Sequence, residues 1–466
     1  MSQRPNIVVL IADDHRHQSI GANGNDEVRS PNLDALARRG TVFDGAHCQG
    51  GMHPAICVPS RASLMTGRNV FTSSVDPAGA DYEGTAFAIP ADLQTFPERL
   101  RAHGYHTHGI GKWHNDIPSF ARSFASGERL MFGGMSDHDR VPMRHYDETG
   151  QFPAEDIHFE EGFSTDLFAE SAIRFLREYQ ADDPFCLYVA FTAPHDPRTP
   201  PAAFAVDPEA VTLPPNLLPM HPFDNGEMLV RDEMLEAFPR TSDAIRRHLA
   251  DYYGMIAHLD DAIGNILATL AETGRAENTL VVYTADHGIA IGQHGLMGKQ
   301  NLYEHSIHVP LMLAGPGIPS GRRLPHLVWH ADTHATLLDA AGIAPDPASE
   351  GESLLPVIDG QADAPRSTFA AAYRFGQRMI RDERYKLIRY VRNPEADLEP
   401  SGNTPPVTAG SETEQLFDLA VDPWEMANLA CLPEMQPIRA RLGEALDAWQ
   451  REVGDPMLER APAGAR

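Results

Sequence analysis

Three short apolar runs most constrain the fold: N-I-V-V-L-I-A at residues 6–12, P-F-C-L-Y-V-A-F at 184–191 and T-L-V-V-Y-T-A at 279–285. A strand with one wet face alternates apolar and polar residues. A run that is apolar throughout is buried on both faces, as in a parallel sheet covered by helices. Helical spacing occupies the intervals, at residues 30–40, 92–103, 165–179 and 245–270, and V-P-L-M-L-A at 309–314 reads as a further strand. This alternation predicts an α/β fold, a large and mostly parallel sheet sandwiched by helices. After about residue 360 the pattern changes. M-I-R-D-E-R-Y-K-L-I-R-Y at 379–390 is aromatic, charged and turn-flanked. It predicts a smaller C-terminal α+β subdomain over 361–466, built on an antiparallel sheet and closed by a helix, beside a main α/β domain over 1–360.

Parallel sheets receive ligands at the C-terminal ends of their strands. Charged residues begin where the apolar runs stop. Asp13 and Asp14 follow the first run, His195 lies in T-A-P-H-D-P after the second, and Asp286 and His287 follow the third. Lys112 and His114 end the short strand after Gly104. Carboxylates gathered in one place repel one another unless a cation intervenes, so a divalent metal is implied. Oxygen ligands suit calcium or magnesium, while the softer imidazole of His287 leaves manganese or zinc open. Two long irregular stretches, 115–162 and 200–239, are read as substrate-side loops. Arg144 and His145 are weak contact candidates there. Arg198, His221 and His294 read as solvated surface residues, with substrate contact as the alternative.

The segment C-V-P-S-R-A-S-L-M-T-G-R, residues 57–68, reads as a helix with Pro59 at its first position and Gly67 at its end. Cys57 would then sit just ahead of a helix N-terminus, where free N–H groups and the dipole favour a thiolate or a bound tetrahedral anion. Arg61 adds a positive fork one turn on. The competing reading is a buried structural cysteine. Cys48, Cys57, Cys186 and Cys431 form no C-x-x-C pair, which argues against a disulfide scaffold, and a Cys48–Cys57 bond would consume the reactive thiol.

C-x-P-S-R with L-M-T-G-R resembles the signature of the sulfatase family, within the alkaline phosphatase superfamily. The resemblance extends through G-Y-H-T-H-G-I-G-K-W-H (104–114), the D-D pair, T-A-D-H-G, and C-terminal F-D-L and D-P-x-E-x-x-N-L elements. It implies an alkaline-phosphatase-like fold and a hydrolase of sulfate monoesters. It also implies that a maturation enzyme oxidises Cys57 to Cα-formylglycine (3-oxoalanine), whose hydrate is the nucleophile. The implied metal, with calcium favoured, has Asp13, Asp14, Asp286, His287 and the Cys57-derived group as ligands. Asp286 would accept the nucleophile's proton. Arg61, Lys112 and Lys299 would neutralise the sulfuryl oxygens, with Lys112, Lys299 and His195 binding substrate. His195 and Lys299 would protonate the leaving alkoxide, and His114 would deprotonate the second hydroxyl. Many sulfatases carry Asn where His287 stands, although a D-H version also occurs.

The net charge of −27 argues against a nucleic-acid partner and requires any sulfate site to be locally basic. The opening residues lack the pattern of an export signal, and no uncharged stretch reaches membrane-spanning length, so a soluble cytoplasmic protein is expected. Three further readings compete. A phosphonate monoester or phosphodiester hydrolase shares the cysteine and metal. A non-catalytic binding protein conflicts with the complete set of ligands and bases. A dinucleotide-binding oxidoreductase is disfavoured because G-P-G-I-P at 315–319 places prolines where the required helix would start. The partners expected are a small-molecule or saccharide sulfate ester and the maturation enzyme; oligomeric state is unreadable.

Overall fold

The computed structural model describes residues 4–75, 87–344, 346–392 and 408–460. Its strands in chain order are β1 (Asn6–Ala12), β2 (Thr41–His47), β3 (Gly50–Gly51), β4 (His106–Lys112), β5 (Ser126–Met131), β6 (Phe185–Ala190), β7 (Thr279–Ala285), β8 (Leu311–Ala314), β9 (Arg322–Trp329), β10 (Phe369–Tyr373), β11 (Gln377–Arg381), β12 (Tyr385–Tyr390) and β13 (Thr413–Asp418). Among the described residues, eight strands form the large sheet in the order β5-β4-β6-β1-β7-β8-β2-β9. β8 runs antiparallel to β7 and β2, and the other pairings are parallel. The three apolar runs are the central strands β6, β1 and β7. Ile7, Val8, Val9, Leu10 and Ile11 are 0% exposed, and burying each such side chain contributes roughly 1.5–3 kcal/mol.

The principal helices before residue 280 are α1 (Pro31–Arg39), α2 (Cys57–Thr66), α3 (Phe96–Ala102), α4 (Ile117–Ser123), α5 (Ser164–Glu178) and α6 (Ser242–Glu272). One group, α1, α5 and α6, packs together; another joins α2 and α3 to the helix His330–Ala340. The helix expected over 92–103 starts at Phe96, because Thr95 caps it in a reciprocal box with Glu98. The stretch 115–162 is more ordered than expected. Asp116 caps α4 by accepting from Ser119 N at 2.9 Å, and β5 forms the sheet's edge, where a continuous apolar pattern is not required. α2 also differs, since it begins at Cys57 rather than Pro59. Proline fits the third position as well, because the first four N–H groups of a helix have no partner within it.

The second sheet runs β13-β12-β11-β10-β3, antiparallel except that β3 joins β10 in parallel. Thus Gly50 and Gly51, just before the Cys57 helix, pair with Ala372 and Tyr373. Gly50 has φ +78°, and a Cβ there would lie 2.2 Å from the Ala372 carbonyl oxygen, so the approach requires glycine. Between the sheets, buried Glu304 accepts from Arg381 Nη1 at 2.9 Å and Lys386 Nζ at 3.0 Å. Among the described residues, no helix is long and apolar enough to cross a membrane.

Candidate active site

Strand register builds the acidic centre. β1 and β7 are neighbours with Ala12 opposite Ala285, so the next residues, Asp13–Asp14 and Asp286–His287, emerge side by side. Asp286 N donates to Ala12 O at 3.1 Å, and Asp13 N donates to Ala193 O at 3.1 Å, which draws in the turn carrying His195. Cys57 faces this group from the start of α2. Ligand atoms of Asp13, Cys57, Asp286 and His287 all lie within 4.8 Å of one another, and Asp13, Asp14 and His195 form an overlapping set. Among the described residues, Asp13 Oδ1, Asp14 Oδ2 and His287 Nε2 are buried without a hydrogen-bond partner. Buried polar atoms are rarely left so, and a bound cation would satisfy all three. The His287 pKa is pushed up to about 9: burial opposes the charge, but Asp286 and Cys57 outweigh it. The ring would thus take up a proton where the acids call for a cation. The donor set fits a divalent metal.

Basic groups surround the acids. Lys112 Nζ donates to Asp13 Oδ2 and to Gly134 O. Arg61 Nε donates to Asp286 Oδ2 at 2.9 Å, its Nη1 donates to Lys112 O at 2.9 Å, and its Nη2 lies 3.5 Å from Asp13 Oδ2. Lys299 Nζ donates to Asp14 Oδ1 at 2.9 Å, and His195 Nε2 lies 3.9 Å from Asp14 Oδ2. Burial opposes ionisation of Asp13, yet Lys112, His195, Arg61 and Lys299 hold it well below the usual carboxylate range. Burial also works against the charge on Lys299, but Asp14, Cys57 and Asp232 raise its pKa well above the ordinary lysine value. His114 is pushed the other way, by burial and then by Lys112, and is therefore neutral and able to accept a proton.

A cavity of about 620 Å³ opens over this centre, with Cys57, His114, His195 and Lys299 in its lining. A thiol, two imidazoles and an ammonium thus face one space above a metal-ligand cluster, an arrangement suited to displacement at a tetrahedral oxyanion. Comparison with known proteins agrees. The family model described as Sulfatase matches residues 5–343, nearly three quarters of the chain. The chain belongs to the sulfatase family. A second model, the C-terminal part of N-sulphoglucosamine sulphohydrolase, matches residues 292–399 of this sulfatase. It is 28% identical to a choline-sulfatase of Rhizobium meliloti (strain 1021), over 99% of this chain and 90% of that protein. This chain's fold is similar to that of another protein, solved in complex with that protein's own substrate D-glucosamine-2-N,6-O-disulfate (TM-score 0.74, 23% identity, 97% of this chain and 99% of the other). It is also similar to a phosphonate monoester hydrolase of Agrobacterium radiobacter (TM-score 0.71, 23% identity, 97% and 96%).

All the residues singled out for the sulfatase's chemistry meet at this centre, though not on one surface. Arg61 and Lys112 hydrogen-bond to Asp286 and Asp13 respectively and are absent from the cavity lining, so neither expected sulfuryl contact is open to the cavity. Arg144 lines the cavity, while His145 stacks on His158 with ring centroids 4.0 Å apart. Arg198, His221 and His294 are not solvated. His221 bonds Phe223 O and Tyr303, His294 stacks on Tyr303 at 4.0 Å, and Arg198 lies over Tyr252. The Pro-rich segment that looked like surface loop is packed against the C-terminal sheet and α6, which accounts for their burial. Asp232 and Gln300 were not foreseen. Gln300 Nε2 donates to Asp232 Oδ2 at 2.8 Å, and both line the cavity beside Lys299. Asp232 lies in an aperiodic stretch where no motif singles it out.

Proposed function

We propose that this sulfatase hydrolyses a sulfate monoester to an alcohol and inorganic sulfate, using Cys57 oxidised to formylglycine and one divalent metal, with calcium favoured. The carrying observation is the convergence of Cys57, Asp13, Asp286 and His287, with Asp14 in an overlapping group, around buried oxygen and nitrogen atoms that have no hydrogen-bond partner among the described residues. These residues would hold the metal, which supplies charge neutralisation and a more acidic nucleophile when bound. Oxidation of Cys57 by a maturation enzyme would replace the thiol with an aldehyde, and addition of water to that aldehyde would supply the geminal diol.

The chain's own groups then divide the work. Asp286 accepts the nucleophile's proton, and Arg61 stabilises that carboxylate from the side away from the cavity. Lys299 and His195 hold the sulfate group, and His195, carrying a proton on both ring nitrogens in this step, gives the Nε2 proton to the departing oxygen. The ring is oriented for this, because its Nδ1 donates to Asp196 O at 2.7 Å. Neutral His114 takes the proton from the second hydroxyl, and sulfate leaves. The organic group occupies the cavity, whose lining includes the charged Asp232 and Arg231 and the apolar Leu130, Phe132 and Ile157. A small or saccharide sulfate ester is the substrate class.

Peptide mass spectrometry of the 57–68 region should show an aldehyde in place of the thiol. Ion chromatography should show sulfate released from choline sulfate, a glucosamine sulfate or an aryl sulfate. Likeness to the phosphonate hydrolase supports a second reading, so phenyl phosphonate monoesters belong in the same panel. Turnover of those esters with no sulfate release would replace the first reading.

A further inference from the structure

Asp14 has φ 65°, in the left-handed region that non-glycine residues rarely hold unless their surroundings impose it. The imposing group comes from α6. Buried Tyr252 donates its hydroxyl hydrogen to Asp14 O at 2.7 Å and accepts from Arg16 N at 3.0 Å. One phenol oxygen thus ties the backbone on both sides of His15. The ring is itself fixed, with the guanidinium of Arg16 at 4.8 Å and that of Arg198 at 5.8 Å from its centroid. Asp14 Oδ1 takes the Lys299 ammonium, while Oδ2 has no hydrogen-bond partner among the described residues. Where that free oxygen points follows from the backbone turn that Tyr252 closes.

We propose that Tyr252 is a positioning residue for the metal, setting divalent-cation affinity by holding Asp14 in its ligating conformation. It touches no ligand atom, and it is absent from the cavity lining. This rests on the metal site proposed above. Groups that orient ligands typically change metal affinity by about 10–100-fold when removed.

Tyr252→Phe deletes one oxygen and keeps the ring between the two arginines. Tyr253→Phe is the control: its hydroxyl is 3.4 Å from Asn25 Nδ2, away from the acids. Full-length wild type, Y252F and Y253F, stripped with chelator, are titrated with Ca²⁺ calorimetrically and melted with and without it. The expected result is a Kd for Ca²⁺ about tenfold or more weaker in Y252F alone, with a smaller Ca²⁺-induced rise in melting temperature. Arg198→Met loosens the ring but keeps the hydroxyl; it should weaken Kd less, and it decides the matter should Y252F not fold. A Kd within twofold of wild type in the folded variant overturns the inference, even if its melting temperature is lower. Wild type that binds none of Ca²⁺, Mg²⁺ or Mn²⁺ overturns the metal reading as well.

Discussion

Lys299 Nζ donates to Asp14 Oδ1 at 2.9 Å across a sequence separation of 285 residues, with both side chains at most 2% exposed. The pair joins the first strand's acids to the loop after the third apolar run. Lys299→Met should therefore lower kcat/KM by about 10²–10³, the scale of removing one preorganised charge partner of a transition-state oxyanion. It should also destabilise the metal-free protein more than the metal-loaded one, since a cation can take over part of the neutralisation of Asp14. Steady-state kinetics and melts in Ca²⁺ and in chelator check both.

His195 faces the cavity with its Nδ1 committed to Asp196 O. If Nε2 protonates the departing oxygen, His195→Asn should cost about 10²–10⁴ in kcat on an alkyl sulfate. The loss should shrink on a nitrophenyl sulfate, whose leaving group needs little help. Equal losses on the two esters would remove His195 from that role.

Cys57→Ala should keep the fold and lose at least about a thousandfold in turnover, because no other cavity group replaces the nucleophile. Circular dichroism and sulfate release on the same preparation separate folding from chemistry.

Chelation should act on stability as well as rate. A cation at a hundred times its Kd stabilises the folded state by about 2.7 kcal/mol, so stripped protein should melt lower and recover on adding Ca²⁺. A melting temperature indifferent to chelator would count against the cluster as a metal site.

Glu304 supplies a pH-dependent term in stability. Burial opposes its charge, but Arg381 and Lys386 hold its pKa well below the ordinary glutamate value. The stability from this depressed carboxyl is complete above its unfolded pKa and is lost as pH falls through the folded value. Glu304→Gln removes the carboxylate that buried Arg381 uses and leaves Lys386 with Glu425, so it should cost about 3–5 kcal/mol at pH 7. The gap from wild type should be constant above roughly pH 5.5 and narrow below about 4.5. Denaturant titrations at pH 7 and pH 4 measure it.

The large sheet was legible because its central strands are apolar at every position, and the candidate metal ligands because charged residues begin where those runs stop, which the register of β1 and β7 then sets side by side. Edge strand β5 was hidden, since S-G-E-R-L-M needs no second buried face. The start of α2 was misplaced by two residues, because proline is acceptable at several first-turn positions. Asp232, Gln300 and Tyr252 reach the centre through tertiary packing alone, from a loop and a long helix whose local patterns concern only their own burial. His221 and His294 looked exposed for the same reason: what covers them lies far away in sequence.

The pairing of Gly50–Gly51 with β10 bears on the order of events in the life of the molecule. A growing polypeptide leaves the ribosome with the glycine pair just before its C-V-P-S-R segment still lacking its partner strand, and that strand arrives only after most of the chain has been made. Cys57 is 1% exposed once folding is complete. Any catalyst that must grip this cysteine as an extended peptide therefore has its opportunity during synthesis, and folding itself closes the door.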